Sequence, residues 1–429
     1  MRVGYVLDLF PSLYQTFVLD EILHLEEAGL AIEIFSLQTP PAGQPRHRRI
    51  EHLRAAVHTL PSPLAAPRET IQANTALLAR SPRRYLEALT LTLRHPSRIL
   101  LLSFLRGVAL GHRLLHRPVQ HLHAHFALGA NVVTMLAARF ADLPFSFTTH
   151  ALDLFARPVW LCPSLRAARF AVTISRYNRD FIAQTCGTEL SEKVHVIHAG
   201  IDPAAFAVPR RPAGRRPRLL SVGRLVEKKG HRYLIEALAE LCRAGQDFEC
   251  LIVGEGPERD RLTRLVEQHG LAGQVRLPGA MAQEDVRQLY AASDLFVLPC
   301  IVANDGDRDG IPVSLMEAMA SGLPVVSTAV SGIPELITSG REGLLVEAGD
   351  SAGLATALTR LLRDAAAREE MGQAGREKIA QEFDVRRSAV ALAALFRAAS
   401  GSGDPLGTPE AAGGSVGPLG TPVMGAAAR

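Results

Sequence analysis

The sequence predicts an α/β fold with two Rossmann-like domains, and three observations lead to this prediction. Short apolar runs alternate along the chain with longer amphipathic segments, which is typical of parallel strands connected by helices. A length of 429 residues exceeds what a single hydrophobic core usually serves. A stretch rich in proline and arginine at 208–217 separates two halves that show the same alternation, so we interpret it as a linker between domains.

The composition indicates a folded protein that does not bind nucleic acid as its main partner. Hydrophobic residues make up 47% and charged residues 21%, as in ordinary globular domains. The net charge of +4 is small for this length. No stretch approaches the roughly 20 apolar residues of a membrane-spanning helix, and the N-terminal apolar run ends too early for a signal peptide. Five scattered cysteines without a C-x-x-C pair are expected to be reduced thiols in the cytoplasm.

The first predicted domain, residues 1–207, opens with a strand, an amphipathic helix and a second strand at 3–7, 16–29 and 31–37. The loop between the first strand and its helix carries Phe10 and Thr16. This loop lies at the carboxyl end of a strand, where doubly wound sheets bind their ligands. Residues 40–67 are rich in proline, arginine and histidine, and we expect them to be irregular.

Residues 80–117 are predicted to be helical, with leucines interleaved with arginines. A basic amphipathic helix is typical of contact with an anionic membrane, because arginine meets the headgroups while the apolar face enters the acyl boundary. A helix packed on the sheet explains the same pattern, and the sequence leaves both interpretations open.

Two predicted strands of this domain end in polar side chains. His121, His123 and His125 alternate with apolar residues and therefore share one face of a strand. No carboxylate or cysteine stands near them in the sequence to complete a zinc site, so we expect polar contacts and no metal. The strand within 144–153 ends in His150 and Asp153, and His150 is our candidate for a residue in the active site; a purely structural histidine is the alternative.

The second predicted domain, residues 218–375, begins with a strand followed by Arg224 and Lys229. Two cations five residues apart over a strand-to-helix turn can bracket a diphosphate. Later strands end near Gly254 and Gly279. The Gly-x-Gly at 254–256 lacks the third glycine and the acidic ribose-binding residue of a dinucleotide fingerprint, which argues against an NAD site.

A helix start after the buried run at 295–299 is the centre of this domain. Helix starts offer unpaired N–H groups to anions such as a diphosphate. Asp309 before the first turn and Glu317 in the second are placed to hold hydroxyl groups at either end of that anion. The residues assigned to the start itself are Gly310, Ile311, Pro312 and Val313.

The acidic loop 304–310 has the opening pattern of a calcium-binding loop, but Met316 stands where a bidentate glutamate is needed. We therefore expect Asp305 and Asp307 to be solvated and no metal to bind. Helices are predicted at 352–364 and 367–396. Residues 400–429 are rich in glycine, proline and alanine, and we expect this tail to be disordered.

The acidic-x7-Glu segment from Asp309 to Glu317 continues into Gly-Leu-Pro-Val-Val-Ser-Thr at 322–328 and Ser-Gly-Ile-Pro-Glu-Leu at 331–336. This extended run resembles glycosyltransferase family 4, in which a glutamate usually stands where this chain has Asp309. The loop carrying Phe10 and Thr16 resembles that of exopolysaccharide glycosyltransferases of the colanic-acid type. The resemblance extends over residues 1–396.

The resemblance implies a GT-B fold, in which two facing Rossmann-like domains enclose the active site in the cleft between them. Arg224 and Lys229 match the family's phosphate-binding pair, and Gly254 and Gly279 belong to loops that seat the nucleotide. His150 is expected to face the donor sugar. The acceptor side is assigned to Phe10, Thr16, His125 and Asp153, and residues 376–399 to a helix that returns to the first domain.

The implied reaction moves a hexose from a nucleotide-sugar to a lipid-linked or oligosaccharide acceptor, with retention of configuration, in exopolysaccharide or cell-surface glycan synthesis. No cofactor is expected besides the donor substrate. The implied location is cytoplasmic, with peripheral contact to the cytoplasmic face of an anionic inner membrane. A nucleotide-sugar epimerase of the same fold and a non-catalytic protein that binds sugar nucleotides or membranes are the rival interpretations.

Overall fold

The computed structural model of the chain describes residues 1–12, 16–40, 48–94, 97–156, 158–206 and 216–399. The predicted tail at 400–429 and most of the predicted linker, 208–215, lie outside these residues. Among the described residues, no helix is both long enough and apolar enough to span a membrane.

The first sheet has seven parallel strands in the order β3-β2-β1-β4-β5-β6-β7. Its strands are β1 Arg2–Leu7, β2 Ala31–Ser36, β3 Ala56–Thr59, β4 His121–His125, β5 Phe145–Thr149, β6 Phe170–Thr173 and β7 Val194–Val196. The strand order reverses between β1 and β4, where Tyr5 lies opposite His123. Loops that leave the carboxyl ends of two such strands diverge and open a crevice for ligands.

Helices cover both faces of this sheet. They are α1 Thr16–Glu27, α2 Pro67–Arg80, α3 Pro82–Arg94, α4 Arg98–Leu114, α5 Gly129–Ala141, α6 Leu161–Ala167, α7 Arg176–Cys186 and α8 Thr188–Ser191. Two expectations are corrected here. Residues 40–67 were expected to be irregular but contain β3. The sequence of β3 shows no strand pattern, and its hydrogen bonds to β2 stabilise it as a strand. Residues 80–117 form more than one helix, because Pro82 starts α3 and the Ser97 hydroxyl caps α4 by accepting the Leu100 N–H at 3.2 Å.

The second sheet has six parallel strands in the order β10-β9-β8-β11-β12-β13. Its strands are β8 Arg218–Val222, β9 Glu249–Val253, β10 Val275–Gly279, β11 Leu295–Leu298, β12 Val325–Thr328 and β13 Gly343–Val346. Its helices are α9 His231–Arg243, α10 Arg259–Gln268, α11 Gln283–Ala291, α12 Val313–Ala320, α13 Ile333–Leu336, α14 Ser351–Arg363 and α15 Ala365–Glu382. Here the strand order reverses between β8 and β11.

The chain passes between the two sheets twice, and the two passages are hydrogen-bonded to each other. Ile201 donates its N–H to the Phe383 carbonyl at 2.9 Å, and Val385 donates to the Ile201 carbonyl at 2.9 Å. The single helix expected at 367–396 is therefore two helices, α15 and α16 Val385–Ala399. Phe383 packs in the core of the second sheet, whereas Phe396 packs beneath the first. The domain boundaries at 207, 217 and 375 stay a prediction.

The expectation of five reduced cysteines is wrong at two positions. Cys162 and Cys186 form a disulfide between α6 and α7, with their Cα atoms 5.3 Å apart. Packing of these helices brings together two cysteines that are 24 residues apart in sequence. Cys242, Cys250 and Cys300 are free thiols.

Candidate active site

The loops at the carboxyl ends of the two sheets contact each other. A Cβ atom at Gly310 would lie 2.7 Å from the Ile174 Cδ1 atom and 3.7 Å from the His150 carbonyl oxygen. A side chain at Gly310 would therefore require the Ile174 side chain to move. This contact brings His150, from the first sheet, beside the start of α12 in the second.

Lys229 lies at the end of a short 3₁₀ turn that follows β8. Gly230 holds this turn against β11, since its φ is +67° and a Cβ there would lie 1.8 Å from the Pro299 carbonyl. Burial alone would lower the pKa of Lys229, but the Asp309 carboxylate outweighs burial and raises the pKa. Arg224 is exposed, and its positive charge acts to lower the pKa of Lys229. The two predicted phosphate-binding cations therefore share one positive site.

Asp309 forms an ion pair that the sequence did not indicate. Its Oδ2 atom lies 2.8 Å from the Lys229 Nζ atom, and its Oδ1 atom lies 3.6 Å from the Lys228 Nζ atom. Burial raises the pKa of Asp309, but the two lysines outweigh it and hold the pKa below its ordinary value. Both oxygens of the charged carboxylate thus face lysines. Contact with a donor-sugar hydroxyl stays a prediction, and holding Lys229 in place is a second role that the geometry supports.

The neighbouring acidic residues differ from expectation in one case. Asp307 is not simply solvated, because its carboxylate lies 3.0 Å from the Lys228 Nζ atom. Asp305 is exposed, and its carboxylate accepts the Asp307 N–H at 3.0 Å within the loop. The lysine at 228 explains the difference, since it lies far away in sequence but adjacent in space.

The helix start predicted after β11 is formed, and its binding of an anion stays a prediction. Pro312 was predicted to lie in the first helical turn, but it is the residue just before that turn. The helix therefore begins one residue later, at Val313. Ile311 is buried in the core of the second sheet. Glu317, in the second turn, accepts the Tyr290 hydroxyl at 2.9 Å. Burial raises the pKa of Glu317 to about 7, so this carboxyl changes protonation near neutral pH.

The two glycines assigned to the nucleotide are adjacent in space. Gly254, after β9, donates its N–H to the carbonyl of Gly279, at the end of β10, at a distance of 2.9 Å. Both positions border the same end of the sheet as Arg224. Their contact with a nucleotide stays a prediction.

His150 is buried at the end of β5 and is fixed on several sides. Its Nε2 atom lies 3.1 Å from the His125 Nδ1 atom, and its ring packs against Phe17 and Phe126 at centroid distances of 4.9 and 4.4 Å. The Asn178 amide donates to the His150 carbonyl. Burial lowers the pKa of His150 well below its ordinary value, so the ring is neutral.

Asp153, assigned to the acceptor side, is fully buried and binds backbone. Its Oδ1 atom accepts the His150 N–H at 3.0 Å, and its Oδ2 atom accepts the Ala127 N–H at 2.8 Å. Burial raises the pKa of Asp153 to about 6. The carboxylate thus joins the ends of β4 and β5, and any effect on a ligand would pass through His150.

The remaining acceptor-side residues lie at the end of β1. The Phe10 side chain is buried in the core, and its N–H donates to the Ser36 hydroxyl at 2.9 Å. Thr16 is the first residue of α1 and is half-buried. The Phe10 side chain therefore belongs to the core below the end of β1, whereas the Thr16 side chain is partly accessible.

The three histidines of β4 have partners that the sequence did not reveal. No carboxylate stands near them in the sequence, but Glu21 of α1 contacts the His125 Nε2 atom at 2.9 Å. Glu21, His123 and His125 have ligand atoms within 4.8 Å of one another. Both ring nitrogens of His123 already contact hydroxyls, those of Ser146 and Thr148, at 2.8 and 3.0 Å. These hydrogen bonds would have to break before a metal could bind.

One carboxylate of the second domain caps a helix of the first. Glu335 accepts the N–H groups of Arg176 and Tyr177, the first two residues of α7, both at 2.9 Å. Its Oε2 atom also lies 3.3 Å from the His198 Nε2 atom. A carboxylate at a helix start is stabilising, so this contact holds the sheets together beside the site.

The sequence did not assign a role to four residues that the structure places in or beside the site: Glu21, Lys228, Tyr290 and Glu335. Glu335 stands within the run that carries the family resemblance, which is a signal that could have marked it. No local pattern marks Glu21, because its partner lies 104 residues away.

Comparisons with known proteins identify the family. The model for Glycosyl transferases group 1 matches residues 207–378. An amylovoran biosynthesis glycosyltransferase of Erwinia amylovora is 31% identical over 412 residues, which cover 90% of this chain and 96% of that protein. The chain belongs to the group 1 glycosyl transferases. A putative colanic acid biosynthesis glycosyltransferase of Salmonella typhimurium is 41% identical over 208 residues, but this match covers only 48% of the chain and 51% of the relative.

Two solved structures share the fold. A glycosyltransferase from Rickettsia africae superposes with a TM-score of 0.72 at 16% identity, covering 93% of this chain and 98% of the other. Anabaena HepE in complex with UDP-glucose superposes with a TM-score of 0.66 at 20% identity, covering 93% and 100%. At these identities the likeness concerns the fold alone, and it confirms the predicted GT-B class of two Rossmann-like domains.

Proposed function

We propose that this group 1 glycosyl transferase is a family 4 hexosyltransferase that moves a sugar from a nucleotide-sugar to a hydroxyl of a lipid-linked or oligosaccharide acceptor, retaining the anomeric configuration. The observation that carries the proposal is the meeting of His150 with the loop of Asp309, Gly310 and Lys229. In the complex that we propose, a neutral imidazole, a carboxylate and two cations would face the donor sugar and its diphosphate. The relatives named for colanic acid and amylovoran synthesis favour an exopolysaccharide product.

Each part of the site has a task in this reaction. Arg224, Lys229 and the N–H groups at the start of α12 would stabilise the diphosphate as negative charge builds on the leaving oxygen. Glu317 would accept hydrogen bonds from the ribose, and Gly254 and Gly279 would border the base. His150 and Asp309 would contact the donor sugar. The chemistry needs no metal, because the positive charges are supplied by side chains and a helix start.

The acceptor would enter from the first domain, whose helices α3 and α4 carry a surface suited to a membrane. Leu86, Leu93 and Ile99 of α3 and α4 are exposed. Arg94 and Arg98 flank them and form no ion pair with a described residue. In contrast, Arg113 and Arg117 bind Glu69 and Glu33, so they belong to the protein's own ion pairs. We infer that the protein is cytoplasmic and binds an anionic inner-membrane surface through α3 and α4.

A thermal-shift screen against nucleotide-sugars, followed by transfer assays with the donor that binds, tests the proposal. A donor that binds only the native state raises the unfolding midpoint. Transfer to a polyprenyl-linked or oligosaccharide acceptor would support it. Donor turnover to an epimer without any acceptor would instead favour an epimerase, and binding without turnover would favour a non-catalytic protein.

A further inference from the structure

Four side chains form a hydrogen-bonded chain that runs from the core of the first domain to the site. The Tyr5 hydroxyl donates to the Glu21 Oε1 atom at 2.7 Å, and the same oxygen lies 2.9 Å from the His125 Nε2 atom. The His125 Nδ1 atom lies 3.1 Å from the His150 Nε2 atom. Tyr5 and His125 are buried, and Glu21 is partly exposed. No sequence pattern connects these residues, and the proposed reaction so far uses only the last of them.

The direction of the hydrogen bonds follows from the carboxylate of Glu21, which lies between Tyr5 and His125 in this chain. An ionised carboxylate can only accept, so the Tyr5 hydroxyl and the His125 Nε2–H must both donate to Glu21. Burial, followed by the charge of Glu21, raises the pKa of Tyr5 well above its ordinary value, so this hydroxyl keeps its proton. In a neutral His125 the Nδ1 atom is then an acceptor, and His150 must donate to it from Nε2. A neutral His150 with its proton on Nε2 has a lone pair on Nδ1.

We propose that Glu21 is a positioning residue that acts through His125 to hold His150 in the Nε2–H tautomer. The Nδ1 atom of His150 is then an acceptor, and the group it recognises is a hydroxyl donor. This inference rests on the proposed function, in which His150 faces the donor sugar. It adds that the sugar must offer a hydroxyl hydrogen to His150, and that the imidazole does not donate to the sugar.

The rest of the histidine cluster does not set this tautomer. His123 contacts the hydroxyls of Ser146 and Thr148. A hydroxyl can donate or accept, so these contacts impose no direction on His123. Ser146 therefore provides a control, because it contacts a histidine of the cluster but lies outside the chain from Glu21 to His150.

The tautomer can be read directly in full-length protein labelled with ¹⁵N-histidine, at pH 8 without ligand. Two-bond ¹⁵N–¹H correlations distinguish a protonated from an unprotonated ring nitrogen, and His150→Gln identifies the His150 signals by their loss. We expect Nε2–H and unprotonated Nδ1 for His150 in the wild type and in Ser146→Ala. We expect Glu21→Leu to lose this pattern, whereas Glu21→Gln, which keeps an acceptor oxygen, retains it.

Kinetics provide the second readout. Glu21→Leu should lower kcat by about 10- to 100-fold with little change in KM. Removing a residue that hydrogen-bonds a metal-bound histidine typically has an effect of about this size. Glu21→Gln should recover most of the rate. A wild-type His150 protonated on Nδ1, or an unchanged tautomer and kcat in Glu21→Leu, would overturn the inference. The spectra need no turnover, so a protein that transfers no sugar would refute the proposed function while the spectra still decide the tautomer.

Discussion

Replacing Asp309 by asparagine keeps the size of the side chain and removes its charge. Asp309 and Lys229 are 15% and 14% exposed, and their charged atoms lie 2.8 Å apart. Little solvent screens this pair, so the carboxylate both holds the lysine and faces the proposed sugar site. We expect Asp309→Asn to lose roughly 2 to 4 kcal/mol of transition-state stabilisation. At 1.36 kcal/mol per factor of ten, this corresponds to a fall of about 30- to 1,000-fold in kcat/KM.

Nucleotide binding should change in the opposite direction. The neutral amide no longer competes with a diphosphate for Lys229, and it no longer repels the anion. We therefore expect Asp309→Asn to bind the nucleoside diphosphate product at least as tightly as the wild type. Titration calorimetry measures this affinity, and steady-state transfer assays measure kcat/KM on the same preparations.

Asp307→Asn is the matched control, because it makes the same change of charge two residues away and disturbs Lys228 instead. It should lower kcat/KM by less than about fivefold, because it leaves the pair of Asp309 with Lys229 intact and a single partly exposed ion pair contributes little. Turnover of Asp309→Asn at the wild-type rate would show that this carboxylate has no catalytic role. An equal loss in both variants would assign the effect to the charge of the loop.

Four further predictions follow from the same contacts. Glu317→Gln should cost about 1.5 to 3 kcal/mol of nucleotide affinity. Because burial raises the pKa of Glu317 to about 7, the nucleotide affinity of the wild type, measured by calorimetry, should rise from pH 6 to 8. The affinity of the variant should lack this rise. Glu335→Ala should increase the radius of gyration in X-ray scattering, whereas Asp350→Ala, which removes a cap within the second domain, should not. Transfer should stay within about twofold in millimolar EDTA, since the diphosphate is held by side chains and a helix start; loss with rescue by manganese would contradict this. Binding to anionic liposomes should weaken as salt is added and in Leu93→Ser. It should not weaken in Val390→Ser, which changes an equally exposed apolar residue on α16. Binding that does not depend on lipid charge would show that α3 is an ordinary packed helix.

The sequence alone determined the fold class and the parts of the site that are local in the chain. Parallel strands buried on both faces leave continuous apolar runs, and the glycines and charged residues at their ends mark ligand loops within a few positions. Arg224, Lys229, Asp309 and Glu317 could be proposed in this way because each stands beside a strand end or a helix start. The same locality explains why the helices predicted at 16–29 and 352–364 lie close to the observed α1 and α14.

Only the tertiary structure decided which of these groups are partners. The pairing of Asp309 with Lys229 joins the loops after β11 and β8, and the contact of Glu21 with His125 joins α1 to β4. The disulfide between Cys162 and Cys186 likewise depends on how α6 packs against α7. A hydrogen bond or ion pair needs atoms within about 3 Å, and the packing of helices on a sheet, not the spacing of residues in the chain, sets such distances.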